Sequence, residues 1–168
     1  MKKNNSLFFI LHSAFCILFA GCYSFTGASL PAGIKSIAIP LATDNSNFAQ
    51  ANLRQLLTDQ LVQKFTHDGS LQVRDRSIAD ALLDVTITSI SDLPIGVRVG
   101  EELTNKRITI SAEATFRDQK KQKTFWDKSF QQTADYQISQ GLDGQNVAIK
   151  NAMDKLSSDL LLGVISNW

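Results

Sequence analysis

From residue 34 onward, apolar and polar side chains alternate in two different rhythms. The cleaner one is a period of two: Ile108, Ile110, Ala112, Ala114 and Phe116 interleave with Arg107, Thr109, Ser111, Glu113, Thr115 and Arg117. Successive strand residues point to opposite faces, so this segment predicts a strand with one buried and one polar face. The polar run Asp118–Lys123 predicts a turn. Trp126 and Phe130, in phase beyond it, predict a return strand from Thr124 to about Ala134 that completes a long hairpin. Leu83, Val85 and Ile87 alternate with Asp84, Thr86 and Thr88 and predict an earlier strand, Ala81–Ile90, in which Ile90 falls out of phase. Asp92 to Gly96 reads as the break after it, and Val97 to Asn105 as a mobile loop. Ile34–Pro40, with three β-branched residues and a closing proline, predicts the first strand, and Leu71–Val73 a short one.

The second rhythm is helical. Leu53, Leu56, Leu57, Leu61 and Phe65 follow a loop of capping residues and predict a helix over Asn47–Thr66, stopped at Asp68-Gly69. Ile149, Ala152, Met153, Leu156, Leu160 and Val164 predict a second over Val147–Trp168, with Asp143-Gly144 as its start signal. The element order allows a parallel pairing of the first strand beside the antiparallel hairpin. The predicted fold class is therefore α+β: two amphipathic helices packed on one face of a mixed, about four-stranded β-sheet. No repeat or low-complexity tract divides residues 34–168, which form one domain.

The first 33 residues follow neither rhythm. Lys2 and Lys3 precede an interrupted apolar run of 14 residues, Leu7–Ala20, which ends in Phe19-Ala20-Gly21-Cys22. That run is shorter than the roughly 20 residues a membrane span needs and matches a cleaved export signal, residues 1–21. The small residues before Cys22 resemble a bacterial lipobox, in which the cysteine thiol takes a diacylglyceryl group; Phe19 stands where an aliphatic residue is usual. Residues 22–33, rich in Ser, Thr, Gly and Pro, read as a lipid-anchored tether that partly packs. Cys16 leaves with the signal and Cys22 is consumed by lipidation, so no disulfide or thiol chemistry is expected. Cleavage also removes two of the 17 basic residues, leaving 15 against 16 acidic ones and a net charge of −1. A near-neutral domain lacks the cationic excess on which nucleic-acid binding depends, so no nucleic-acid partner is expected.

Catalytic patterns are scarce. His67, the only histidine after the signal, closes the first predicted helix, where a cation favours the helix dipole, and is assigned no role. Glu101-Glu102, Asp84, Glu113 and Asp127 lack metal-ligand spacing, and the scattered glycines form no phosphate loop. Neither metal nor cofactor is expected, and an enzyme is disfavoured. Phe125, Trp126 and Phe130 read as core rather than a ligand platform. Arg98, Lys106, Arg107, Arg117, Lys120, Lys121 and Lys123 fall on the central loop and the hairpin and could form one cationic end that binds a phosphorylated glycolipid. Hairpin charges also serve solubility and edge protection.

Gly21-Cys22-Tyr23-Ser24-Phe25-Thr26-Gly27 and Leu30-Pro31-Ala32-Gly33-Ile34-Lys35-Ser36-Ile37-Ala38-Ile39-Pro40 resemble the opening of the LPS-assembly lipoprotein family, LptE. The resemblance continues through the first helix, the Leu83–Ile87 strand, Phe125-Trp126-Asp127-Lys128-Ser129-Phe130 and the terminal helix. It implies two helices on a four-stranded sheet and a domain that plugs a large outer-membrane β-barrel translocon (LptD-like). That plug would assist the barrel's assembly and the delivery of lipopolysaccharide to the outer leaflet. It implies an anchor at Cys22 on the periplasmic side, with Tyr23 in place of the aspartate that retains lipoproteins in the inner membrane. By location, Arg98, Lys106 and Arg107 are the candidate contacts to lipopolysaccharide or barrel.

Two other readings stay open. Ile37-Ala38-Ile39-Pro40, followed by Asn45 and a helix, is also similar to curli-export and TolB-type N-terminal domains, which implies a structural subunit of another envelope secretion complex. An enzyme would need carboxylates such as Asp84 or Asp127 to meet across the fold.

Overall fold

The computed structural model describes residues 30–96 and 104–166. In chain order they form β1 (Ser36–Ala38), β2 (Thr43–Asp44), α1 (Leu53–Asp68), β3 (Gln72–Val73), β4 (Ala81–Ile95), β5 (Asn105–Asp118), β6 (Lys123–Gln137), a 3-10 turn (Ile138–Gln140) and α2 (Gly141–Ile165). Across the sheet the order is β3-β1-β4-β5-β6, and β2 pairs with β4 further along. Pairings among β1, β2, β3 and β4 are parallel, whereas β4, β5 and β6 form an antiparallel meander. The mixed α+β class is thus as expected. Six strands are found instead of about four: β3 falls within the short strand expected over Leu71–Val73, and β2, with only two residues, is too short to carry a periodicity.

Both helices cover one face. Gln50 bonds Asn146, Gln60 the Lys150 carbonyl and Lys64 the Asp154 carboxylate. These partners advance together, so α1 and α2 run parallel. Leu53, Leu57, Leu61 and Phe65 of α1 and Ile149, Ala152, Met153, Leu156, Leu160 and Val164 of α2 meet Leu83, Ile87, Ile108, Ile110 and Phe116 of the sheet in one core. This is the helical rhythm packed against the period-two rhythm. Among the described residues no helix is long and apolar enough to cross a membrane.

Several boundaries differ from the sequence reading. Helix α1 begins six residues later than Asn47, because Asn47 and Asn52 both take left-handed backbone angles (φ 56° and 66°) and Asp44 caps a turn through Ser46. Its end is the expected one: Gly69, at φ 73°, donates to the Phe65 carbonyl. Helix α2 starts at Gly141, six residues before Val147, so Asp143 lies inside the first turn. Trp168 lies outside the described residues.

Strand β4 runs on to Ile95, where the sequence suggested a break. A bulge between Ile87 and Ser89 inserts Thr88 as an unpaired residue. That extra residue returns Ile90, 9% exposed, to the helix-facing side beside Ile110. Pro94 is tolerated because the last described pairing on β4's other side, from β2, stops at Ile87. A second irregularity, opposite Phe116 and Arg117, brings both Phe125 and Trp126 against Phe116, with ring centroids at 5.1 and 5.8 Å. Trp126 is 8% exposed and packs on Phe130, so the aromatic group is core, as expected.

Candidate functional site

Strands β4, β5 and β6 present two unlike faces. Residues of one phase meet the helices. The other phase lines up in lateral rows: Ser89-Ser111-Gln131, Ser91-Thr109-Thr133, Thr86-Glu113-Ser129 and Asp84-Thr115-Asp127. No described element covers these rows. Hydroxyls, amides and the Glu113 carboxylate fill the middle, and ion pairs flank them, Arg107 with Asp135 near one end and Arg117 with Asp84 near the other.

Lys106 and Arg107 are neighbours on β5 and therefore point to opposite faces. Lys106 turns to the helix side, where its ammonium lies 3.0 Å from Asp92 Oδ2. The same oxygen accepts hydrogen bonds from the Tyr136 hydroxyl (2.9 Å) and Gln145 Nε2 (2.8 Å). Burial pushes the Asp92 carboxyl up, but the bonds from Lys106, Tyr136 and Gln145 outweigh it and hold the group below its ordinary range. The hydrogen bond to Asp92 raises Lys106 in turn. This network ties β4, β5, β6 and α2 together. Its centre was not legible in the sequence, because Asp92 joins the inward phase only after the Thr88 bulge.

Arg107 lies on the open face and makes a two-point contact with Asp135, Nε to Oδ1 at 2.6 Å and Nη2 to Oδ2 at 2.8 Å. That bond lowers Asp135 and raises Arg107. Both candidate cations are therefore matched by a carboxylate of the same domain, and they do not converge on one point. The depression beside Asp135 and Tyr136, about 500 Å³, also contains Asp143, a lining unsuited to an anion. Arg98, Glu101, Glu102, Cys22 and the signal segment 1–21 lie outside the described residues.

The single cationic end suggested by the sequence is not formed. Lys106 and Arg107 sit where β5 begins, whereas Arg117, Lys120, Lys121 and Lys123 sit where it ends, ten residues or about 33 Å along the strand. At that far end the Lys120 ammonium bonds Asp80, whose carboxyl also accepts from the Ser36 hydroxyl and the Lys35 and Ser36 amides. The Lys120 bond, then Ser36 and Lys35, hold Asp80 far below the ordinary carboxylate range. Asp84 and Asp127 flank Thr115 in one row, two strand spacings or about 10 Å apart, and do not meet. Among the described residues no three His, Cys, Asp or Glu side chains are grouped to hold a metal. His67 is exposed in the last turn of α1.

Two parallel helices on one face of a mixed sheet, the other face open and polar, define a helix-backed α+β domain also found in bacterial lipoproteins. Rare lipoprotein B from Shewanella oneidensis superposes with a TM-score of 0.53 at 9% identity, over 77% of this chain and 92% of that one. A minor lipoprotein from Acinetobacter baumannii gives 0.53 at 11% identity, over 80% and 92%. The PelC dodecamer from Paraburkholderia phytofirmans gives 0.56 at 8% identity, over 82% and 94%. At these identities the likeness is one of fold. A search of curated protein sequences finds no relative of this chain. The family model for LptE, described as lipopolysaccharide-assembly, matches residues 34–162. The chain belongs to the LptE family, and its setting is lipopolysaccharide assembly in the bacterial envelope.

Proposed function

We propose that this chain is an outer-membrane lipoprotein. In this reading it is cleaved before Cys22, held by lipid at the periplasmic side, and seated as a plug in a β-barrel translocon that delivers lipopolysaccharide to the outer leaflet. Family membership supports the setting. The observation that carries the plug reading is the open face of β4, β5 and β6. Large outer-membrane barrels present polar residues inward, and a face of Ser111, Thr109, Thr133 and Gln131 offers donors and acceptors to such a wall. A lipid-facing surface would be apolar instead. The role is binding and gating, with no catalytic residue assigned.

Lys106, Arg107 and Arg98 remain the candidate contacts to lipopolysaccharide or barrel. Arg107 is the best placed of the described pair: it is on the open face, and its exchange from Asp135 to a phosphate would keep a two-point contact. The test is recovery of a C-terminally tagged chain from outer membranes in mild detergent. The expected result is a stoichiometric large β-barrel protein. Recovery of the lipoprotein alone, or only as a homo-oligomer, contradicts the plug reading and favours a different export complex.

A further inference from the structure

The sheet end where β4 starts gathers groups that the plug reading leaves without a task. Gln119 donates to the carbonyls of Arg76 and Ala79, and Lys120 bonds Asp80. The β5–β6 turn and the loop before β4 are thereby joined into one surface. It carries Arg74, Arg76, Lys120, Lys121 and Lys123 against three carboxylates, Asp75, Asp80 and Asp118. All three carboxylates are engaged: Asp75 by the Ser77 amide and hydroxyl, Asp118 by the Lys120 and Lys121 amides, and Asp80 as described above. Arg76, Lys121 and Lys123 have no acidic partner among the described residues and are exposed. In the same loop as Arg76, Ile78 is 60% exposed, an apolar side chain on this cationic surface.

The same end receives the chain from its N-terminal side. Strand β1 runs parallel to β4, with Ile37 beside Ala81, so residues 34–36 lie at this end. Eight Cα-to-Cα steps lead from Cys22 to Leu30, a reach of at most about 29 Å. Strand β4 alone is about 50 Å long, so a lipid on Cys22 holds this end within reach of a bilayer, whereas the opposite end meets it only when the domain tips over. We infer that the Arg76–Ile78 loop and the Lys120–Lys123 turn dock on the anionic phospholipid headgroups of the leaflet that carries the lipid anchor, holding this end of the domain at the headgroup level. This rests on the reading of Cys22 as lipidated. The occupant is a lipid surface because the tether's reach, the unpaired cations and the exposed Ile78 coincide at one end. Basic residues near an anionic leaflet are attracted within a Debye length, and an apolar side chain among them can enter the headgroup layer.

The test uses the protein purified from its membranes and reconstituted in vesicles of phosphatidylcholine alone or with 30 mol% (about a third) phosphatidylglycerol, an anionic fraction of the order found where such surface attraction acts. An environment-sensitive fluorophore is placed on Gln122→Cys in the turn or on Gln137→Cys at the opposite end. The expected result is quenching of the Gln122 probe by headgroup-attached nitroxide on anionic vesicles only. The quenching should be lost in high salt and in an Arg76→Glu/Lys121→Glu/Lys123→Glu variant, with the Gln137 probe unquenched throughout. Equal Gln122 quenching on neutral and anionic vesicles, or greater quenching at Gln137, overturns the inference. Circular dichroism of the charge-reversed variant checks that it is folded. Intact mass reads the acylation of Cys22 separately. Should Cys22 carry no lipid, the anchor reading fails, and flotation of the unlabelled protein still decides the surface. Roughly tenfold or greater preference for anionic vesicles supports docking there, and no preference overturns it.

Discussion

Asp92 accepts three hydrogen bonds through one carboxylate oxygen, and its side chain is 11% exposed. An Asp92→Ala substitution leaves an ammonium, a phenol and an amide without their partner, and a drop of about 2 kcal/mol in urea-unfolding stability is expected. Arg107→Ala breaks an exposed pair, so its unfolding midpoint should stay close to that of the parent. A large loss from Arg107→Ala would mean that the open face is structural and not a contact surface. Acid provides a second residue-level check. Asp80 and Asp92 are both held below the ordinary value of 3.8 in the folded chain. Groups depressed on folding contribute stability that is present above that value and lost as pH falls through their folded range. Stability should therefore decline below about pH 4, and Asp80→Asn, which no longer titrates, should show a shallower decline in pH-dependent urea unfolding.

At the scale of elements, the bulge in β4 sets the face of every residue that follows it. Deleting Thr88 removes the unpaired residue and restores strict alternation from Ile87 to Ile90, so every inward residue keeps its face. Deleting Ser91 instead turns Asp92 outward and Leu93 inward. Thermal unfolding of the two deletions should place the Thr88 variant well above the Ser91 variant; the reverse order would contradict the register. In α2, a Cβ on Gly144 would lie 2.5 Å from Gln140 Cβ and 3.0 Å from the Tyr136 ring. Gly144→Ala should thus destabilise by about 1–3 kcal/mol despite alanine's better helix propensity. The strands and helices with uninterrupted rhythm, β5 and the bodies of α1 and α2, were legible in the sequence. Positions governed by an irregular backbone were not: Thr88 hid the end of β4, and left-handed Asn47 and Asn52 delayed α1. The candidate site was legible only as residue types, since Lys106 and Arg107 reveal their opposite faces and their carboxylates only once β4 and β6 are in register.

For the whole molecule, the parallel helices and the meander give a long domain with different chemistry at its surfaces. One face is sealed by helices, the other is open and polar, and the end that receives the N-terminal segment is cationic. In the proposed plug the open face would meet the lumen wall, and the cationic end would meet the headgroups at the level of the anchor. The most direct measurement of the central claim is site-specific photo-crosslinking in the native outer membrane from Glu113, which sits mid-row on the open face between Thr86 and Ser129. The account predicts an adduct with one large β-barrel protein from position 113, lost when that barrel is depleted. A Glu113 probe that crosslinks only to a second copy of this chain, or stays free in membranes where the barrel is abundant, would contradict it.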